Sequence, residues 1–168
     1  MSEPEVWLRG ALPDVAPLLQ PVAHSLLQCR GEVRATLPAL ERAHVWARPG
    51  GAASVGYHAR HAIGSLDRLL TYARGEQLSL AQLDALKLEG YPNRDLAIAA
   101  TLVTEFDAAV ERALIQVRAT NESTLTEPRE VGRARLPSTV IGLLFHAAEH
   151  TQRHVGQLAT MAKIVRAV

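Results

Sequence analysis

The segment from Pro137 to Val168 reads PSTVIGLLFHAAEHTQRHVGQLATMAKIVRAV, and it decides the fold. Apolar residues recur in it every three or four positions, which is the period of an α-helix with one buried face. They are Val140, Leu143, Leu144, Ala147, Leu158, Met161 and Val165. Pro137 and Ser138 suit the start of this helix, because a proline there removes no intrahelical hydrogen bond. The segment therefore predicts one long amphipathic helix.

Three earlier segments have the same helical spacing. We predict helices from about Pro17 to Leu40, from Ser54 to Gly75 and from Asn93 to about Arg118. Ser54 is a suitable N-cap, and Gly75 is a natural stop. The expected buried faces are Val22, Leu26, Cys29, Val33, Leu37 and Leu40 in the first helix, Val55, Ala59, Ala62, Leu66, Leu69, Leu70 and Ala73 in the second, and Ala99, Val103, Phe106, Val110, Leu114 and Val117 in the third.

The connection between the second and third helices is long and contains a short helix of its own. Ser79–Gln82 forms a capping box that opens this helix, and Gly90–Pro92 ends it. Residues 121–136 are polar and irregular, and no stretch alternates apolar and polar residues well enough to predict a strand. We therefore predict an all-α protein, one domain over residues 1–168, built as a four-helix bundle with a long crossover connection between helices 2 and 3.

The balance of charge excludes some partners. Eighteen basic and 17 acidic residues give a net charge of +1, so a strong positive field is absent and no nucleic-acid partner is expected. No apolar run approaches the roughly 18–20 residues of a membrane helix. The N-terminus, with Glu3 and Glu5, lacks the pattern of a secretory signal. A cytoplasmic protein without a membrane partner is the expectation that remains.

Cys29 is the single cysteine, which excludes an internal disulfide and a cysteine-based zinc site. It falls in the apolar stripe of the first helix, so we expect a small buried side chain. An accessible reactive thiol is the alternative.

The histidines are the most informative residues for function. His146, His150 and His154 are four residues apart, and each step of four turns only about 40° around a helix. His150 and His154 fall near the buried face of the last helix and should point inward. A buried imidazole without a partner costs about 1–3 kcal/mol, and two adjacent ones are not easily both charged. A divalent metal solves both problems, because neutral imidazoles at this spacing chelate well.

A third ligand has to come from another helix, and His61 is the best candidate. It flanks the apolar stripe of the second helix, and His58 lies one turn earlier on a similar side. Three histidines leave one coordination position open to water or substrate, as in catalytic zinc sites. The alternative is that these are ordinary histidines with satisfied hydrogen bonds, and the spacing alone does not separate the two.

Two other patterns compete with this site. His146–His150 matches H-x-x-E-H, the inverted zinc-peptidase motif, although the motif is short and peptidases that carry it tend to be far larger. Glu41 and His44 form one Glu-x-x-His, a motif that di-iron bundles use twice, and no second copy follows. His24 lies opposite the apolar stripe and should face a neighbouring helix or solvent.

The segment His150–Leu158, HTQRHVGQL, resembles the H-x-x-x-H-x-G-Q signature of the DinB/YfiT-like metal-binding four-helix bundles. His61–Leu70, HAIGSLDRLL, resembles the second-helix histidine of that family and the pattern that follows it. Helix order and length agree as well, so the resemblance covers nearly the whole chain. It implies a bundle with a long crossover, often a homodimer, and a site for a divalent metal, zinc or nickel, held by His61, His150 and His154. His146 is not one of the three.

Family members that the chain resembles include transferases and isomerases that use small thiols. The resemblance implies a metal-dependent thiol S-transferase, with a low-molecular-weight thiol and a small-molecule substrate. A metal-dependent hydrolase and a non-catalytic, stress-related binding module are the alternatives. The histidines hold the metal in all of these, so the catalytic residues stay unassigned.

Some residues of this chain depart from the pattern or add to it. The signature often has glutamate after its first histidine, and Thr151 stands there instead. Trp7 is expected to pack on a helix end or to cover the open side of the site. Gly156 should let another helix approach closely, and Gln157 should hydrogen-bond a ligand imidazole or face solvent.

Overall fold

The computed structural model describes residues 3–91 and 98–167, and these ranges are mostly helical. The helices are α1 Gln20–Thr36, α2 Arg42–Trp46, α3 Val55–Ala73, α4 Leu80–Leu88, α5 Ala99–Ala119 and α6 Val140–Ala167. The strands are β1 Pro128–Val131 and β2 Leu136–Thr139. Within the described ranges, no helix combines the length and the hydropathy needed to cross a membrane.

The ends of the middle helices follow the local signals in the sequence. The Ser54 hydroxyl accepts a hydrogen bond from a backbone amide in the first turn of α3, and Gly75 has a φ of +79° just beyond the last turn. Ser79 and Gln82 form the predicted capping box at the start of α4. These contacts fix where α3, which carries much of the site described below, begins and ends.

The four longest helices enclose the core. α3 packs along α6 and α5, and α1 packs along the same two helices. Leu26, Leu66, Phe106 and Leu144, one from each of these helices, are at most 1% exposed. The predicted apolar stripes supply this core, since every stripe residue is buried except Leu69 and Val103, which are partly buried.

A short β-hairpin precedes α6, and here the sequence-based expectation of irregular structure without strands is wrong. Pro137 lies in β2 and pairs with Glu130 of β1 in antiparallel register, so α6 begins at Val140 rather than at Pro137. Gly132 and Arg135 have positive φ at the turn of the hairpin. Strands of four residues with mostly exposed side chains leave only a weak alternation in the sequence, which is why they were not predicted.

One helix was not predicted, and the predicted start of another lies outside the described residues. The short helix α2 was not predicted, and it lies in the connection between α1 and α3. The predicted start of the third long helix at Asn93, and Pro92 before it, lie outside the described residues. The described part of that helix, α5, begins at Ala99.

Candidate metal centre

Three of the predicted residues meet where α3 packs along α6. His61 on α3 and His150 and His154 on α6 each offer one ligand atom, and these atoms lie within 4.8 Å of one another. Nε2 of His61 is 3.0 Å from Nε2 of His150. Two nitrogens bound to one tetrahedral zinc at about 2.0–2.1 Å are about 3.3–3.4 Å apart, so this spacing suits a single ion. All three side chains are partly exposed, and a small molecule therefore has access to them.

Glu89 holds the ring of His61 by a hydrogen bond at Nδ1. Nδ1 of His61 lies 2.7 Å from Oε2 of Glu89, and the carboxylate is only 6% exposed. Because a carboxylate accepts but does not donate, His61 carries its proton on Nδ1 and keeps the Nε2 lone pair for the histidine group. Carboxylate partners of this kind orient metal-binding histidines and raise their basicity.

The carboxylate of Glu89 is itself held by Arg68, and it lies in space that Gly64 leaves free. Its other oxygen accepts a hydrogen bond from Nη1 of Arg68, at 2.6 Å, and Arg68 is 8% exposed. A Cβ atom at Gly64 would overlap the carboxylate of Glu89 and would lie 2.7 Å from Arg68 Nη1. A glycine inside a helix costs about 0.5–1 kcal/mol relative to alanine. At Gly64 the absence of a side chain leaves room for the buried ion pair between Arg68 and Glu89.

His58 has a similar relation to the second ligand candidate. Its Nδ1 lies 3.0 Å from Nδ1 of His154, and His58 is 7% exposed. One of these two nitrogens donates and the other accepts, and Nε2 of His154 has a free lone pair for the histidine group when Nδ1 of His154 is the donor. His58 therefore touches the group without being one of its three members.

His150 has no such partner. Its Nδ1 is buried and makes no hydrogen bond to any residue that the structure describes. A buried polar atom without a partner costs about 1–3 kcal/mol. His150 therefore meets His61 through Nε2, at 3.0 Å, and no described residue fixes its tautomer at Nδ1.

The surroundings favour the neutral form of His58, His150 and His154. Burial, together with the nearby His61, lowers the pKa of His154 from its ordinary value of 6.5 to about 4. Burial also lowers the pKa of His150 and the pKa of His58. Neutral imidazole is the form that binds metal, so His150 and His154 are available as ligands at neutral pH.

The competing H-x-x-E-H arrangement is not assembled. His146 is exposed, and its Nδ1 lies 3.3 Å from a carboxylate oxygen of Glu149. The same carboxylate accepts a hydrogen bond from Arg153, and Arg153 lowers its pKa. A glutamate held by an arginine on the outer face of α6 is poorly placed to serve as a base beside His150.

The remaining candidates lie elsewhere. Glu41 is exposed at the start of α2, and Glu41 and His44 do not join the histidine group. Nε2 of His24 lies 3.0 Å from the carbonyl oxygen of Gly10. Trp7 is 61% exposed and lines a groove with His24, so it does not cover the histidines as one expectation had it.

One of the residues around the signature departs from its expectation. Gly156 does not mediate a close helix contact, since a Cβ atom there would meet no atom within 4 Å, and that prediction is wrong. Gly156 and the exposed Gln157 instead line a cavity of about 690 Å³ that reaches His58. Thr151 is fully buried, and its hydroxyl donates to the Ala147 carbonyl oxygen at 2.7 Å. The carboxylate beside the histidine group therefore comes from α4–α5 connection residue Glu89, not from the signature.

Cys29 is buried in the core, as predicted. It is 0% exposed, and burial, with a smaller effect of the nearby Glu32, raises the pKa of its thiol to about 12. A thiol in that environment stays protonated at neutral pH and takes no part in the histidine site.

The sequence-based analysis missed Glu89, the partner of His61. Glu89 stands directly before Gly90, and that position indicates a helix end rather than a site. Arg68 follows His61 by two helical turns and lies on the same side of α3, which is the one signal that the sequence offers. An arginine in a row with a histidine does not identify the acid that joins them.

A search of curated proteins gives no match to the chain. The family profile described as the DinB superfamily matches residues 25–158, a range that includes α3, most of α6 and all three histidines. Because the match covers well over half of the sequence, the chain belongs to the DinB superfamily.

Proposed function

We propose that this protein binds one divalent metal ion through His61, His150 and His154 and acts as a metal-dependent thiol S-transferase. The observation that carries the proposal is the grouping of three ligand atoms within 4.8 Å on two packed helices. The resemblance to thiol-using members of the superfamily supports the choice of reaction. Zinc and nickel suit three imidazole donors, and they are the ions we favour.

Different residues of the chain have different roles in such a site. An ion held by three histidines keeps a position for a further ligand, and it would lower the pKa of a thiol bound there. Glu89 keeps His61 in one tautomer, and His58 would accept from Nδ1 of His154 when Nε2 of His154 holds the ion. Partial exposure of the three histidines gives the thiol and its small-molecule co-substrate a way in.

A metal-dependent hydrolase is the second candidate. The same partial exposure admits water, and a metal-bound water has a pKa near neutrality, about 7 in zinc hydrolases. A non-catalytic, stress-related binding module is the third, and it would hold its metal without an exchangeable ligand. The three candidates share the histidine ligands and differ in what occupies the open position.

We also propose that the chain forms the homodimer and the bundle that the family resemblance implies, with a cytoplasmic location. Phe145 and Trp7 are each more than 60% exposed, and both line grooves beside Pro21 and Ser25 of α1. Exposed apolar side chains in two neighbouring grooves are typical of an interface. In the proposed bundle, α4 lies within the crossover between α3 and α5. Light scattering at several protein concentrations tests the dimer.

The function is tested on protein loaded with cobalt(II), which reports sulfur coordination by a charge-transfer absorption band. We expect 2-mercaptoethanol to produce this band in the unmodified protein and not in His150→Ala. Thiol consumption with an electrophilic co-substrate should then depend on the metal. Absence of a thiol band, with metal-dependent ester hydrolysis, would favour the hydrolase instead. Tight cobalt without any exchangeable ligand, and unfolding on chelation, would favour the binding module.

A further inference from the structure

Arg68 lies two helical turns after His61 on α3, and its guanidinium reaches back to the acid that holds His61. Two turns of α-helix span about 10 Å. The side chain runs back along α3 past Gly64, where a Cβ atom would lie only 2.7 Å from Nη1 of Arg68. Nη1 donates to Oε1 of Glu89 at 2.6 Å, and Oε2 of the same carboxylate accepts from Nδ1 of His61 at 2.7 Å. Each carboxylate oxygen therefore has one partner, and both partners are on α3.

The position of the Glu89 carboxylate is set by polar contacts rather than by apolar packing of its own helix. None of the nine residues of α4, which ends just before Glu89, is buried. At the start of α4, Nε2 of Gln82 donates to a carboxylate of α3 at 2.6 Å. Beyond its end, Nη1 of Arg60 donates to the carbonyl oxygen of Tyr91 at 2.6 Å. These contacts hold the backbone on both sides of Glu89, while among the described residues Arg68 is the cation that holds the carboxylate.

The charge of Arg68 separates two possible effects on a metal ion by their sign. A positive charge near a metal ion opposes the binding of that ion, and the repulsion is strongest where water is excluded. The side chains of Arg68 and Glu89 are only 10% and 7% exposed, so solvent screens them little. By charge alone, removing Arg68 should strengthen metal binding. If Arg68 acts by holding Glu89 against His61, removing it should weaken metal binding instead.

We propose that Arg68 is a positioning residue for metal binding, which acts through Glu89 on the orientation of His61. Its guanidinium holds one carboxylate oxygen so that the other stays against Nδ1 of His61, and Nε2 of His61 is kept for the ion. Without Arg68 the carboxylate turns away, and His61 is no longer restricted to one tautomer. The inference rests on the metal binding proposed above and does not depend on the thiol chemistry.

The experiment has two readouts. Competition against a chromophoric chelator measures the affinity for cobalt(II), and NMR of the imidazole nitrogens reports the tautomer of His61 in the metal-free protein. Arg68→Met removes the charge and keeps a long side chain, and Arg68→Lys restores a charge that can donate a hydrogen bond to Glu89. Arg74→Met is the matched control, because Arg74 also pairs with a glutamate at the end of α3, but that pair is exposed.

We expect Arg68→Met to weaken cobalt(II) binding by about tenfold or more and to leave His61 as a mixture of tautomers. Arg68→Lys should recover part of the affinity, and Arg74→Met should bind as the unmodified protein does. Unchanged or tighter cobalt(II) binding in Arg68→Met would overturn the inference while leaving the metal site standing. A single tautomer of His61 in Arg68→Met, with the proton still on Nδ1, would overturn it as well.

A double variant keeps the inference testable if Arg68→Met does not fold, because removing one partner of a buried ion pair can be strongly destabilising. Arg68→Met combined with Glu89→Gln should bind cobalt(II) as Glu89→Gln does alone, since Arg68 then has no carboxylate to hold. Further weakening in the double variant would overturn the inference, because Arg68 would act on the ion by another route. If the unmodified protein binds no cobalt(II), the proposed function fails, and this inference fails with it.

Discussion

Nδ1 of His61 donates a hydrogen bond to Oε2 of Glu89 across 2.7 Å, so one carboxylate decides which nitrogen of His61 faces the other two histidines. We predict that Glu89→Gln weakens metal binding by about 10–100-fold, the usual cost of losing such a partner. Competition against a chromophoric chelator measures the affinity. Circular dichroism at the same temperature establishes that the variant is folded, since Arg68 loses its charged partner as well.

The matched control for this substitution is Glu76→Gln. Glu76 also pairs with an arginine, Arg74, but both side chains are largely exposed, and the pair lies at the end of α3 away from the histidines. The metal affinity of Glu76→Gln should equal that of the unmodified protein. Equal affinities in both glutamine variants would mean that Glu89 has no influence on the site.

Substituting the three candidate ligands should change the metal content of the protein, and substituting His146 should not. We expect His150→Ala and His154→Ala to abolish stoichiometric binding and His61→Ala to weaken it strongly, because each removes one donor of three. His146→Ala should spare the metal, since His146 is exposed and lies outside the group. Elemental analysis of untagged protein checks all four. Full metal content in the first three would disprove the site, and loss in His146→Ala would revive the H-x-x-E-H arrangement.

Gly64→Ala and Gly31→Ala should have opposite effects on stability. At Gly31 the new methyl group enters open space, and alanine should stabilise the helix by up to about 1 kcal/mol. At Gly64 the methyl group collides with the Glu89 carboxylate, and overpacking costs about 1–3 kcal/mol. Urea unfolding of the metal-free proteins measures both changes. A stabilising Gly64→Ala would show that the ion pair moves aside at little cost.

Acid should destabilise the metal-free protein. The pKa of His154 is about 4 in the folded chain and near 6.5 when unfolded, so between these values the unfolded chain binds a proton that the folded chain does not. Its contribution to stability is complete above about pH 6.5 and is lost as the pH falls toward about 4. The lowered pKa values of His58 and His150 act in the same direction. Urea midpoints at pH 7.5 and pH 5 test this, and His154→Gln should reduce the difference between them.

Cys29 should resist thiol reagents in the folded protein. The side chain is fully buried, and the raised pKa leaves almost no thiolate at neutral pH. We expect a disulfide reagent to react slowly under native conditions and rapidly in denaturant, as followed by absorbance. A native rate close to that of a free thiol would contradict the buried placement.

Local and periodic information was sufficient for the buried faces of the four long helices. The stripes through Leu26, Leu66 and Leu144 predicted the buried faces, and Ser54 predicted where α3 begins, because these features depend on neighbours within a turn or two. Glu89 was not predictable in this way, since its role depends on α4 bringing it to His61 across the chain. Gly156 was misjudged for a related reason, because sequence does not reveal whether a missing side chain faces a helix or a cavity.

The space at Gly64 links two positions that belong to different segments of the chain. The carboxylate of Glu89 occupies volume that a side chain at position 64 would otherwise fill. A homologue that loses the acid at position 89 also loses the steric reason for glycine at position 64. During evolution positions 64 and 89 should therefore change together. A lineage without the acid that supports His61 should be recognisable by a bulkier residue at position 64.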